Sequence, residues 1–228
     1  MGRAFAGLLI AAAMAWPASA FAQLESVTQR EAVVALKTAL ERGSQEAVAR
    51  LGRLDGFLGN PQVKIPLPDS LTRAERLMRR VGAGRYADEV IVAMNRAAEA
   101  AVPEARTILI SAVKQMSVQD AKGILTGGET AGTDYFRRTT RDGLHKRFLP
   151  IVQRATARVK LANKYNRYAD RGVALGVVHE EHADLDEYVT QKALDGLYFM
   201  VAEEEKRIRK DPVGTGKAIL KKVFGALL

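Results

Sequence analysis

The run Asp134-Tyr135-Phe136-Arg137-Arg138 puts both charge signs and two aromatic rings within a turn and a half of helix. A guanidinium beside aromatic faces suits recognition of a carboxylate or phosphate, and equally suits an internal ion pair. A partner for such an arginine stands upstream in "MNRAAEAAVPEA", where Asn95 and Glu99 sit one turn apart on a face otherwise made of alanine. A carboxylate among alanines either is buried and paired or lines a cleft, so the expected contact is Glu99 with Arg137 or Arg138. A third cluster, "GFLGNPQVKIPLP" (56–68), interleaves Gly, Asn and Pro with Phe, Leu, Val and Ile. Its polar members Asn60 and Lys64 are expected to share one polar region with Asn95, Glu99, Asp134, Tyr135, Arg137 and Arg138, because buried polar groups must find partners.

None of these residues forms a complete catalytic constellation. Histidine is confined to His145, His179 and His182. "HEEH" at 179–182 is not H-E-x-x-H and offers at most two nitrogens, so no metal is expected. His145 is placed on the exposed side of its helix by the flanking Lys146 and Arg147, and nothing marks it as a base. "TGGETAGTDYFRRTT" lacks the G-K-[ST] ending of a phosphate loop; Gly127-Gly128 reads as a helix end, with Thr130 or Thr133 capping the next helix. No catalytic residue and no cofactor is assigned.

The elements that must position these groups are helical throughout. In "SVTQREAVVALKTALERG", Val33, Leu36 and Leu40 form a stripe that Gly43 should stop, and "SQEAVARLG" repeats the pattern with Ser44 as cap and Gly52 as stop. Asp69 or Ser70 opens a helix running to about Val81. A long segment from Arg85 carries Val90, Met94, Ala97 and Ala101, and Pro103 either kinks it or restarts it. Ser117 with Asp120 caps a short helix. Leu144, Phe148, Ile151, Val152, Ala155 and Val159 form a stripe with a bend expected at Pro150. After a loop, Asp184 or Asp186 starts a helix with Leu194, Leu197, Val201 and Ile208 on one face, which Asp211-Pro212 stops; an amphipathic helix is expected at 216–228. The fold class is all-α: a single bundle of about seven to nine helices with a rigid prolyl loop. That loop is either a packed connection or the wall of a ligand groove.

The address is legible as well. Arg3, an apolar run from Ala4 to Trp16, Pro17 and a small-residue stretch to Ala22 read as a secretory signal over residues 1–22, cleaved after Ala22 or Ala20, with residues 23–228 as one domain. The chain has no cysteine, so it holds no disulfide and no thiol nucleophile. A periplasmic location follows. Between Arg137 and Arg171 eleven Lys or Arg face two Asp, and between His179 and Glu205 nine acids face one lysine. Either the basic and acidic helices pack together and partly neutralise each other, or the basic surface meets an anionic small molecule, a lipid headgroup or an envelope polyanion. Nucleic acid is not expected, since no recognition motif is present.

Four segments, "GFLGNPQVKIPLP", "NRAAEAAVPEA", "TGGETAGTDYFRRTT" and "YVTQKALDGLYFMVAEEEKRIRKDP" (188–212), in this order resemble the bacterial family catalogued as domain of unknown function (DUF) 4197. The resemblance covers the whole mature chain and implies an exported helical domain of proteobacterial type, with no activity to carry over. Relatives with an N-terminal lipoprotein cysteine differ from this chain, which favours a soluble form here. Two function classes follow: a non-enzymatic binding or interaction module for an anionic ligand or envelope surface, and, as the alternative, a carboxylate-dependent hydrolase using Glu99 or Asp134 on an envelope component.

Overall fold

The computed structural model describes residues 29–158, except 81 and 83, and residues 184–211. The signal segment, Val81, the "HEEH" loop residues 179–182, Val159 and the amphipathic stretch 216–228 lie outside the described residues. All regular structure among the described residues is helical, with no strand.

Helix α1 spans Gln29–Leu51 without interruption. The stop expected at Gly43 and the cap expected at Ser44 are both corrected. Gly43 is buried where another helix crosses it, with Ile208 Cδ1 and Glu204 Cβ at 3.4 and 3.5 Å from the position its Cβ would take. Packing of this kind outweighs the roughly 1 kcal/mol helix penalty of glycine. The Ser44 hydroxyl donates to the Glu41 carbonyl at 2.9 Å inside the same helix, a back-bond that leaves no cap to make. Gly52 does end the helix, its N–H meeting the Val48 carbonyl at 2.9 Å.

After the loop 52–68, α2 (Asp69–Arg80) and α3 (Gly84–Ala101) follow. Pro103 sits in a 3-10 turn, Val102–Glu104, that separates α3 from α4 (Ala105–Gln115); it restarts the chain, since its missing N–H is harmless in a first turn. Helix α5 (Val118–Leu125) opens on the capping box of Ser117 and Asp120. Helix α6 (Ala131–Ala157) runs through Pro150, and α7 (Leu185–Lys210) opens at Asp184, whose carboxylate accepts the Asp186 and Glu187 N–H groups at 2.8 and 3.2 Å.

Helices α6 and α7 lie antiparallel: Thr156 bonds Asp186, Arg141 reaches Asp195, and Thr133 meets Glu205. Leu144, Phe148 and Val152 on α6 and Leu194, Leu197, Val201 and Ile208 on α7 are buried, as their spacing requires; α6 packs against α7 and α3, and α7 against α6 and α1. Helix α3 presents Ala97, Ala98 and Ala101, all fully buried, and these small side chains let its backbone come close to its neighbours. The core therefore sits among α1, α3, α6 and α7, and the prolyl loop closes one side of it.

Candidate functional site

The loop has no strand to pair with, so its buried backbone groups need side-chain partners. Helix α3 supplies them. The Glu99 carboxylate accepts the N–H groups of Phe57 and Leu58, each at 3.1 Å, through one oxygen. One turn earlier, Asn95 treats Ile65 as a strand neighbour would: its Oδ1 accepts the Ile65 N–H and its Nδ2 donates to the Ile65 carbonyl, both at 2.9 Å. The Tyr188 hydroxyl on α7 donates to the Pro66 carbonyl at 3.1 Å, and the Asn60 amide approaches Met200 Sδ at 3.8 Å. Phe57, Val63, Ile65 and Leu67 are buried beneath these bonds. Gly56 is required at the turn, because a Cβ there would lie 2.3 Å from the Leu51 carbonyl oxygen.

The expected ion pair is corrected. The second oxygen of Glu99 binds Arg96 at 2.6 Å, and Arg96 also holds Asp55 at 2.7 Å. Asp55 sits at φ 62°, a left-handed conformation that Asp tolerates better than most residues. Arg96 stands three residues from Glu99 on the same helix and reaches it with no tertiary constraint. Arg138 instead lies 3.8 Å from Asp120 and over the Tyr135 ring. Arg137 lies 3.7 Å from Asp195, with its guanidinium carbon 4.9 Å from the centroid of the Tyr198 ring.

Tyr135 points into the molecule and donates to the Ala112 carbonyl at 2.9 Å; burial pushes its phenol up. Neither Thr130 nor Thr133 caps α6 with its hydroxyl. Glu205, from the far end of α7, accepts the Gly132 and Thr133 N–H groups at 2.9 and 2.8 Å and is held in turn by Arg209. A carboxylate at a helix N-terminus also meets the positive end of the helix dipole. His145 is not simply exposed: its Nε2 lies 2.8 Å from the Glu187 carboxylate. Burial pushes Glu187 up, but hydrogen bonds from Gln191 and His145 outweigh it, so the carboxyl ends below its usual range.

A groove of about 640 Å³ runs between the loop segment 62–66, the first two turns of α6 and one face of α7. Lys64, Asp134 and Arg137 line it. Asn95 and Glu99 lie behind the loop and hold it in place, Asn60 is spent at the loop turn, and Tyr135 and Arg138 face α4 and α5. Gly196 lets the loop lie directly on α7, since a Cβ there would come within 2.7 Å of Phe57 Cε1.

Sequence reasoning missed the α7 side of this groove: Lys192, Asp195, Phe199 and Ala202. Their i, i+3, i+7, i+10 spacing marks a second stripe opposite the buried one, and the exposed Phe199 on it was the signal available. Burial pushes the Tyr198 phenol up at the groove floor, where it shares a hydrogen bond with the Thr140 hydroxyl. Among the described residues no three His, Cys, Asp or Glu side chains are placed to hold a metal ion, and no helix there is long and apolar enough to cross a membrane.

No curated protein and no solved structure matches this chain. The family model described as "Protein of unknown function (DUF4197)" matches residues 26–225, a span that includes the prolyl loop, the helix that holds it and both helical walls of the groove. The chain therefore belongs to the DUF4197 family.

Proposed function

We propose that this protein is an exported, non-enzymatic binding module that takes an anionic ligand in the groove beside its prolyl loop. The observation carrying this reading is the cation arrangement: Lys64, Arg137 and Lys192 line a groove of about 640 Å³, and among the described residues neither lysine has a carboxylate at ion-pair distance. Arg137 is oriented by Asp195 and the Tyr198 ring before any ligand arrives, which lowers the ordering cost of binding. A hydrolase reading is less well supported. Both oxygens of Glu99 are occupied, and Asp195 is held by Arg137 and Arg141, leaving Asp134 without a second carboxylate suited to proton transfer.

Residues 1–22 act in this reading as a cleaved signal delivering the chain to the periplasm, where lipid headgroups and envelope polyanions are available. The domain over residues 23–228 comprises seven to nine helices, with the prolyl loop as a rigid wall. The test is calorimetric titration of the mature chain with inorganic phosphate, acetate, and phosphatidylglycerol or phosphatidylcholine vesicles. Binding of at least one anion should weaken tenfold or more in Lys64→Ala/Lys192→Ala at unchanged thermal stability, since exposed substitutions stay within roughly 0.5 kcal/mol. Anion binding unchanged in that variant defeats the proposal, and so does turnover of an envelope component that Asp134→Asn abolishes.

A further inference from the structure

The groove is polarised along its length. The loop runs antiparallel to α7, because Asn60 meets Met200, the Val63 Cβ lies 3.3 Å from the position a Gly196 Cβ would take, and Pro66 meets Tyr188. Lys64 therefore falls level with Lys192. Helix α6 also runs antiparallel to α7: Arg137 stands at Asp195 and Tyr198, and Thr133 at Glu205. Asp134 therefore falls level with Phe199 and Ala202. One end of the groove holds Lys64, Lys192 and the Arg137 guanidinium, the last paired with the Asp195 carboxylate that Arg141 also holds. The other end holds the Asp134 carboxylate, which has no ion-pair or hydrogen-bond partner among the described residues, beside Phe199, a ring left 36% exposed.

Seven residues of α7 separate Lys192 from Phe199, about 10 Å along the axis at 1.5 Å per residue. A ligand with a single anionic group would leave the far carboxylate and the exposed ring unused. A molecule with a carboxylate at one end, an ammonium at the other and a backbone of roughly 10 Å between them matches both ends at once. An extended peptide rises about 3.3 Å per residue, so about three or four residues span the gap. An ammonium beside Asp134 and the Phe199 face gains from the charge and from the ring quadrupole together.

We infer that the groove holds a short free-ended peptide of about three or four residues, with its terminal carboxylate between Lys64 and Lys192 and its terminal ammonium at Asp134 beside the Phe199 ring. This rests on the reading of the groove as an anion-binding site and adds the second charge, the length and the ligand class. Extended peptides have the slim section that a groove walled by two helices and a loop segment accepts, and their small side chains can lie against Pro66 and Ala202.

The test is calorimetric titration of the mature chain with alanine peptides of two to six residues, each in free, N-acetylated and C-amidated form. The free tri- or tetrapeptide should bind tightest. Acetylation should weaken binding at least tenfold in the native chain and leave it unchanged in Asp134→Asn. Amidation should weaken it at least tenfold in the native chain and leave it unchanged in Lys64→Gln/Lys192→Gln. Acetylated peptide binding as tightly as free peptide overturns the zwitterion assignment while leaving the anion reading intact. Tight binding of acetate or phosphate with none of any peptide overturns the ligand class alone. Peptide and simple-anion binding that both ignore the lysine substitutions overturn this inference and the anion reading together. Lys64 and Lys192 should be replaceable with no loss of thermal stability, and Asp134→Asn with only the small loss of a first-turn charge from α6, which separates binding from folding.

Discussion

At the scale of single residues, Glu99 does structural work that its surroundings define. It is 5% exposed, its first oxygen satisfies two loop N–H groups, and its second neutralises Arg96. Replacing it with alanine strands those two donors, and an unsatisfied buried group costs about 1–3 kcal/mol. Glu99→Ala should therefore destabilise by about 2–4 kcal/mol in urea unfolding. Glu99→Gln should cost less, because the amide carbonyl still accepts from the two loop N–H groups, and the loss is confined to the Arg96 ion pair, where the amide NH2 replaces the accepting oxygen. Equal losses for the two variants would mean that the ion pair, not the loop backbone, is what Glu99 serves. Glu205 works on the same principle at the start of α6, and in both cases a carboxylate from one helix satisfies backbone donors of another segment.

Two glycines separate packing from backbone need at the scale of elements. Gly43 lies inside α1 and is not among the positive-φ residues, and an added Cβ would meet Ile208 and Glu204 at ordinary contact distance. Gly43→Ala should then stabilise by up to about 1 kcal/mol through helix propensity. A true C-terminal stop at that position would give the opposite sign, so one thermal melt distinguishes the continuous helix from two short ones. Gly196 is different, because its Cβ would collide with the ring of Phe57, which is fully buried and cannot swing away. Gly196→Ala should cost about 1–3 kcal/mol from overpacking and lift the loop from α7. Because the loop is one wall of the groove, ligand affinity should fall with it.

For the whole molecule, the alternation of basic and acidic segments is partly consumed within the fold. Arg137 and Arg141 on α6 meet Asp195 on α7, and His145 meets Glu187. Exposed pairs of this type contribute roughly 0–1 kcal/mol each, so they set the register of the two helices more than they stabilise the bundle. Among the described residues Lys64 and Lys192 have no carboxylate at ion-pair distance, Lys64 lying within electrostatic reach of Asp88 and Lys192 over the Tyr188 ring, and the binding reading proposed above rests on the groove they line and not on the α6–α7 seam. Export has its own test. The sole tryptophan is Trp16, inside the proposed signal, so a chain purified from the periplasm should begin at Phe21 or Gln23 and show tyrosine-like emission. Intact mass retaining Met1, or a tryptophan band, would contradict that processing.

Much of the helical architecture was legible because its causes are local. Apolar spacing at Leu144, Phe148 and Val152 or at Leu194, Leu197 and Val201 requires a buried stripe wherever the helix packs, and the Ser117–Asp120 box closes within one turn. Gly43 and Ser44 misled for the same reason: their local chemistry favours a helix end, and only contact with Ile208 and Glu204, about 160 residues downstream, overrides it. The site was half legible. Asn95 and Glu99 stood out as polar groups on an alanine face, and Lys64, Asp134 and Arg137 do reach one groove. Which arginine would serve Glu99, and that Lys192 and Phe199 would complete the groove, depended on the antiparallel register of α6, α7 and the loop. Residue types and spacing determined which groups needed partners. Tertiary packing decided which partners came within hydrogen-bond reach, because that distance is set by how whole helices approach one another and not by position along the chain.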